Sequence, residues 1–161
     1  MPLASYLTLA AADALAALLP PLPRYAAASS ALREQALAAA TLRVDASSRW
    51  QGRRYVADQA LEFPRVPYND FRVWDWDAAA GTAVVPQTVQ LAVLYEANAL
   101  LDTARQARLQ QIADGLTAQS TGSLSESYAR VGPTTAAGRP VLIADAAALL
   151  DKYRLRSGDI K

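Results

Sequence analysis

The chain contains no cysteine and no histidine among its 161 residues. Their absence excludes thiol catalysis, disulfide frameworks, zinc fingers and every acid–base scheme or catalytic triad that relies on histidine. Sixteen basic residues stand against fifteen acidic ones, so the net charge of +1 gives no global attraction to nucleic acid or membrane. Carboxylate-only catalysis and oxygen-ligand metal sites are not excluded. The composition therefore favours a protein that is not an enzyme and that holds no cofactor and no metal.

Signals for targeting are scarce as well. The hydrophobic run at residues 7–22 has no basic residue before it, contains Asp13 and ends in two prolines. It therefore predicts an amphipathic helix rather than a signal peptide, and it is too short and too interrupted to span a bilayer. We expect a protein made in the reducing cytoplasm, where the absence of cysteine is unremarkable.

Alanine is the abundant residue, with 36 positions. It favours helices because it loses no side-chain entropy, but it buries little apolar area. At this length the chain forms about one domain. The composition predicts helices around a thin core, which gain stability from a partner or from self-association.

The hydrophobic pattern predicts a mostly α fold: a small helical bundle around a long central helix, with a short β-strand or hairpin and an extended C-terminal arm. We divide the chain into a helical core, residues 1–121, that includes an aromatic loop at 66–84, and a C-terminal arm, residues 122–161, with a short strand and a terminal helix. The predicted helices cover residues 9–19, 29–45, 86–113 and 145–153. Residues 53–63 are predicted as a short helix or turn and residues 124–129 as a strand.

The aromatic loop carries acidic residues beside its aromatic ones. Asp70, Asp75 and Asp77 have the alternate spacing found in some calcium loops, but the closing Glu of an EF-hand is absent. We interpret them as solvated loop acids.

A compact basic and aromatic cluster occupies residues 49–55, with the sequence RWQGRRY. One interpretation is a surface on which Trp50 stacks bases while arginines neutralise phosphates, as in single-strand binders. The other is structural, with Trp50 packed on the core and the arginines paired with Asp58, Glu62 or a neighbouring group. The near-zero net charge favours the structural interpretation.

The cluster begins a longer motif, RWQGRRYVADQALEFPR at residues 49–65, which resembles the signature of head–tail connector proteins of tailed bacteriophages. These are also called adaptor or head-completion proteins, and the group is also labelled DnaT-like single-stranded-DNA-binding proteins. Phe63 stands where Trp is commoner in that family. Segments 5–15, 31–45 and 85–100 resemble the family in the same order, and 122–129 does so more weakly. The motif residues that match are Trp50, Gly52, Arg53, Arg54, Gln59, Ala60, Leu61, Phe63, Pro64 and Arg65.

The resemblance implies a structural virion protein at the head–tail interface, present in the host cytoplasm during assembly. Such an adaptor forms a ring, implied to be dodecameric, under the portal vertex. The ring extends the channel for packaged double-stranded DNA and provides a docking platform for the stopper or another tail-side protein. The partners implied are the chain itself and the portal, with no membrane. The alternative is a single-stranded-DNA-binding module of a phage.

Two hypotheses about surfaces follow from the resemblance. The arm at 122–161 would reach the portal or an adjacent subunit, and the aromatic loop would contact the next tail-side component, because exposed tryptophans are typical interface anchors. We identify no catalytic residue. The candidate contacts with partners or other subunits are Trp50, Arg53, Arg54, Arg65, Phe71, Trp74, Trp76, Tyr128, Leu149, Leu150 and Tyr153.

Overall fold

The computed structural model describes residues 4–67, 75–77, 79, 81–114, 118–121, 124–127 and 139–155, and it is mostly α-helical as predicted. Its helices are α1 (Leu9–Ala16), α2 (Pro23–Ala27), α3 (Ser30–Ser47), α4 (Gln87–Leu100), α5 (Thr103–Ala113) and α6 (Ala144–Leu150), and a 3₁₀ turn (Asp151–Tyr153) follows α6. Its strands are β1 (Arg53–Arg54), β2 (Arg65–Val66), β3 (Trp76–Asp77), β4 (Thr82–Ala83), β5 (Ala118–Thr121) and β6 (Leu124–Ser127).

The first helices begin where the sequence provides a cap. The Thr8 hydroxyl accepts a hydrogen bond from the amide of Ala11 at the start of α1, and the Ser29 hydroxyl accepts one from the amide of Leu32 at the start of α3. Each hydroxyl satisfies an amide that the helix itself leaves unpaired. The prolines that end the first predicted helix also start α2, a short helix that we did not predict, with Pro23 at its first position.

The prediction of one long central helix over residues 86–113 is wrong, because the chain breaks between α4 and α5. The Asp102 carboxylate accepts a hydrogen bond from the amide of Arg105 at 3.1 Å and so caps a new helix. That bond, with help from the arginines nearby, lowers the pKa of Asp102 below its ordinary value. An aspartate can cap the start of a new helix, and at Asp102 the chain begins α5 instead of continuing α4.

The core forms around α4, which packs between α3 and α6. The first half of α4 is apolar on nearly every face, and this pattern correctly predicted a central position. Alanine contributes several of the buried positions, so the helices pack closely but the core is thin. The large residues that are almost fully buried are Tyr25, Leu37, Val44, Val89, Val93, Leu94, Leu150 and Tyr153.

The C-terminal residues 139–155 belong to this same core, since Leu142, Ala146, Leu150 and Tyr153 pack in one cluster with α3 and α4. The terminal helix is therefore packed on the core rather than extended from it. The strand predicted at 124–129 is confirmed as β6, which pairs with β5 in an antiparallel hairpin. The domain boundary after residue 121 stays a prediction.

A buried ion pair holds the returning segment in place. Glu96 of α4 has no solvent exposure, and one of its carboxylate oxygens accepts a hydrogen bond from Nε of Arg43 at 2.8 Å. The other oxygen accepts the amide of Ile143 at 3.0 Å, and Arg43 Nη2 also donates to the carbonyl of Val141 at 2.8 Å. One charged pair thus joins α3 and α4 to the segment that leads into α6, residues 141–143.

Replacing Glu96 by Gln leaves the guanidinium of Arg43 without its buried counter-charge. We expect the free energy of unfolding to fall by about 3 kcal/mol, the usual cost of breaking a buried pair. Urea denaturation followed by circular dichroism measures it. Glu34→Gln, on the exposed side of α3, is the control and should change stability by less than about 0.5 kcal/mol. Equal losses in the two variants would contradict the role of the pair.

Candidate functional site

The motif at residues 49–65 folds into a loop that is organised by the side chain of Arg65. This guanidinium is 7% exposed, and it donates hydrogen bonds to the carbonyls of Gln51 at 2.9 Å, Trp50 at 3.2 Å and Gly52. It also pairs with the carboxylate of Glu62. Only a planar group with several N–H donors can bind three neighbouring carbonyls and a carboxylate together. Arg65, predicted as a partner contact, is buried and uses its donors inside the loop, and its contact with a partner stays a prediction.

Gly52 lets the two ends of the motif meet. Its φ of +76° is in the region that L side chains rarely adopt, and a Cβ built on it would lie 2.1 Å from the carbonyl oxygen of Val66. That close approach lets β1 pair with β2, with Arg53 opposite Val66 and Arg54 opposite Arg65. The glycine is therefore required by backbone conformation and by space.

Trp50 lies in an aromatic cluster at the base of the loop and is only 6% exposed. Its ring packs edge-to-face on Phe63, with centroids 5.2 Å apart, and Phe63 packs in the same way on Tyr153 at 5.3 Å. The indole N–H donates to the carbonyl of Asp45 at 3.0 Å. Trp50 thus packs on the core, as the structural interpretation of the cluster predicted, and its ring has no free face on which a base could stack. Its contact with a partner stays a prediction.

Asp45, at the end of α3, fixes the other side of the loop. One carboxylate oxygen accepts the hydroxyl of Tyr6 and the other accepts the amide of Glu62 at 3.1 Å. The Tyr6 oxygen in turn accepts the amide of Phe63 at 3.0 Å. Burial raises the pKa of Asp45 and, together with the nearby carboxylate, that of Tyr6. The sequence did not point to either residue, because the contact needs Tyr6, which lies 39 residues before Asp45 and 57 before Phe63.

Gln59 closes the inside of the loop. Its amide nitrogen donates to the carbonyls of Leu61 at 2.8 Å and Pro64 at 3.1 Å, and its oxygen accepts the amide of Val56 at 3.1 Å. Of the short helix or turn predicted at 53–63, the turn is confirmed at residues 57–58, where the amide of Gln59 donates to the carbonyl of Val56 at 3.2 Å.

Several side chains of the segment instead face solvent, including an acidic one, Asp58. Arg49, Arg53 and Tyr55 are exposed, Tyr55 by 39%. Within the described part of the chain no hydrogen bond or ion pair is found for the guanidinium groups of Arg49 and Arg53. Arg54 is exposed too, but its guanidinium pairs with Glu62 at 2.5 Å, which raises the pKa of Arg54. We call Arg49, Arg53 and Tyr55 the basic face.

The C-terminal segment runs beside the basic face. The amide of Gln51 donates to the carbonyl of Tyr153 at 2.8 Å, and the amide of Leu155 donates to the carbonyl of Arg49 at 2.9 Å. Arg154 lies opposite Trp50 in this antiparallel pairing. No local pattern in the sequence could have joined residues a hundred positions apart.

The other predicted contacts are scattered. Leu150 and Tyr153 are buried in the core, so their contact with a partner stays a prediction. Leu149 is half-buried beside Tyr95 in a shallow pocket between α4 and α6. Trp76 lies in β3, opposite Ala83 of β4.

The described residues include no group of three acidic side chains placed to hold a metal ion, and no described helix is long and apolar enough to cross a membrane. Asp70, Phe71, Trp74 and Tyr128 lie outside the described residues.

Replacing Gly52 by Ala should prevent β1 from pairing with β2, because the added methyl would overlap the carbonyl of Val66. We expect stability to fall by more than about 2 kcal/mol. The matched control is Gly81→Ala, whose φ is +62° but whose Cβ would meet nothing within 4 Å, so it bears only the backbone strain of about 1 kcal/mol. Thermal or urea unfolding of both variants measures the difference. Equal losses would show that space at Gly52 is unimportant.

Comparison with known proteins gave one family. A family model described as "Putative DnaT-like ssDNA binding protein" matches residues 3–159, which is nearly the whole chain. No curated protein and no solved structure gave a significant match.

Proposed function

We propose, since the chain belongs to the DnaT-like ssDNA-binding family, that it binds single-stranded DNA through the basic face. The observation that carries the proposal is that Arg49 and Arg53 are exposed without a described internal partner, in the same short segment as the exposed ring of Tyr55. The other arginines of the motif, Arg54 and Arg65, are engaged by Glu62.

The order of residues along β1 supports a shared surface. Alternate residues of an extended strand lie on the same face, and the pairing of β1 continues past its end, because the amide of Tyr55 donates to the carbonyl of Pro64 at 3.0 Å. Arg53 and Tyr55 are therefore expected side by side, with Arg54 turned to the opposite face and Glu62.

The chemistry of this face suits a flexible single strand. Arginines bind phosphates whatever the sequence, and an exposed aromatic ring stacks on any base. Because Trp50 is buried, the ring expected to stack on bases is that of Tyr55. With a net charge of only +1, we expect modest affinity that falls with salt and shows little sequence preference. It is a binding function and requires no catalysis.

Replacing Arg49 and Arg53 together by Ala should weaken binding to a fluorescein-labelled oligothymidine by about tenfold at 0.1 M salt. It should also reduce the slope of log affinity against log salt by about 1.4, since each phosphate contact to a single strand contributes about 0.7. Tyr55→Ala should weaken binding by about tenfold, and Tyr55→Phe should retain it. Fluorescence anisotropy at several salt concentrations gives all three numbers.

The control for charge is Arg24→Ala, because Arg24 is also exposed but lies beside Asp102, far from the motif along the chain. It should leave the affinity within about twofold of the wild type. If the wild-type protein does not bind the oligonucleotide, or if Arg24→Ala weakens binding as much as the double variant, DNA binding through the basic face is wrong.

A second candidate is the head–tail adaptor, with a ring of copies under a portal vertex and a tail-side protein docked on it. The exposed leucines favour it: Leu32 and Leu42 of α3 are both about half exposed, in a chain whose core is thin. The resemblance of the motif and of three further segments to connector proteins agrees with it. A virion location belongs to this candidate alone.

Electron microscopy of the protein mixed with a purified portal tests the adaptor candidate, which expects extra density as a ring on one end of the portal. Replacing both Leu32 and Leu42 by Glu should reduce that density, while Arg49 and Arg53 variants should keep it. Portal particles without added density would exclude the adaptor. Deleting residues 122–161 is not a valid test, because it removes the buried Leu150 and Tyr153 from the core.

A further inference from the structure

A pocket lies where the end of α1, the proline segment after it, α2 and the start of α3 meet. Its volume of about 460 Å³ is in the usual range of small-molecule sites. Most of its wall is apolar and is made by alanines, prolines and one leucine, and three polar side chains complete it. The residues that line it are Asp13, Ala16, Ala17, Pro21, Leu22, Pro23, Tyr25, Ala26 and Arg33. We call it the α1–α3 pocket.

The three polar side chains form one hydrogen-bonded group. A single oxygen of Asp13, Oδ1, accepts Nη1 of Arg33 at 2.7 Å and the hydroxyl of Tyr25 at 3.0 Å. The guanidinium of Arg33 also lies over the ring of Tyr25, with Cζ 5.5 Å from the ring centroid. Burial and the hydrogen bond to Asp13 raise the pKa of Tyr25 to about 12. The phenol therefore keeps its proton at neutral pH and remains a donor to Asp13.

Two polar atoms of this group are left without a hydrogen bond. Nε of Arg33 is buried and has no partner, and in the described residues none is found for Oδ2 of Asp13. Leaving a buried donor unpaired costs free energy, which a ligand can recover. The side chain of Arg33 is 24% exposed and that of Asp13 is 41% exposed. This partial exposure leaves the guanidinium room to rotate and turn Nε toward a molecule in the pocket.

We propose that the α1–α3 pocket binds an uncharged ligand that carries an amide group on an apolar body. The amide carbonyl accepts a hydrogen bond from the guanidinium of Arg33, and the amide N–H donates one to Oδ2 of Asp13, so both unused atoms gain a partner. The apolar body lies against the alanines and prolines of the wall. A free small molecule and the glutamine or asparagine side chain of a peptide share this chemistry.

The charges of the pocket favour an uncharged ligand. Arg33 and Asp13 already neutralise each other as an ion pair. A carboxylate that reached Arg33 would lie beside Asp13, and an ammonium group that reached Asp13 would lie beside Arg33, so either charge would lose its water for little gain. An amide supplies an acceptor and a donor without net charge. The inference is independent of DNA binding, because no residue of the basic face lines this pocket.

Titration of isotope-labelled protein with benzamide, followed by NMR, tests the proposal. The amide signals of Ala16, Ala17 and Ala26 should shift, with a Kd on the order of a few millimolar for so small a probe. Benzoate and benzylamine, which are of similar size but charged, should bind at least about tenfold more weakly. No shift of these signals at the solubility limit of benzamide, or equal binding of benzoate, would overturn the proposal.

Three substitutions locate the site. Ala17→Leu, at the end of α1, fills part of the pocket and should weaken benzamide binding by about tenfold. The matched control is Ala14→Leu, which is exposed on α1 outside the pocket and should leave the Kd within about twofold. Asp13→Asn removes the negative charge, so the affinity for benzoate relative to benzamide should rise by about tenfold. Equal effects of the two leucine variants, or an unchanged benzoate ratio, would contradict binding at this pocket.

The source of the amide is tested with a second probe, acetyl-glutamine methylamide, under the same conditions. Tighter binding than benzamide supports a glutamine side chain of a peptide, and weaker binding supports a small molecule with a larger apolar body. Circular dichroism melts check that each variant folds. Displacement of benzamide by the oligothymidine would overturn the proposal, because the pocket would then belong to the DNA site.

Discussion

The loop at residues 50–66 depends on the hydrogen bonds and the ion pair that the guanidinium of Arg65 makes. It gathers the carbonyls of Trp50, Gln51 and Gly52 around one cation, and Glu62 balances the charge. Because these carbonyls point at Arg65, the side chains that follow are presented outward in a defined order. Both the buried aromatic cluster and the basic face take their positions from this arrangement.

Most residues of the motif therefore serve to hold the loop in its conformation. Gly52 provides the close approach, Gln59 bonds the inside of the loop, and Phe63 links Trp50 to Tyr6 and Tyr153. A recurring motif of this kind identifies a family through its fold, whereas the residues available to a ligand are the few that the loop leaves outside. Arg49 and Arg53 are the arginines of the motif that are exposed and have no described internal partner, which makes them the most informative positions for function.

The thin alanine-rich core explains why polar contacts recur between segments. Helices that pack through alanine bury little apolar area, so single charged or hydrogen-bonded groups determine how the segments are joined. Glu96 ties α6 to the bundle through Arg43, and Asp45 ties the motif loop to α3 and the N-terminal segment. The same thin core leaves Leu32 and Leu42 about half exposed on α3, and this is the surface that the adaptor candidate uses.

The sequence by itself determined the helical class, a cap at Thr8 and another at Ser29 or Ser30, and the central position of α4, because these follow from local propensity and periodicity. Its composition excluded histidine and cysteine chemistry. It also contained the break at Asp102, although the helical pattern around it was stronger. Tertiary structure alone decided which arginine is buried and which is free. Arg53 and Arg65 are equivalent in composition, but Arg65 is surrounded by carbonyls and by Glu62, and Trp50 is covered by Phe63 and by a segment a hundred residues away. Such contacts produce no repeating pattern in the sequence, so the accessible face could be assigned only once the fold was known.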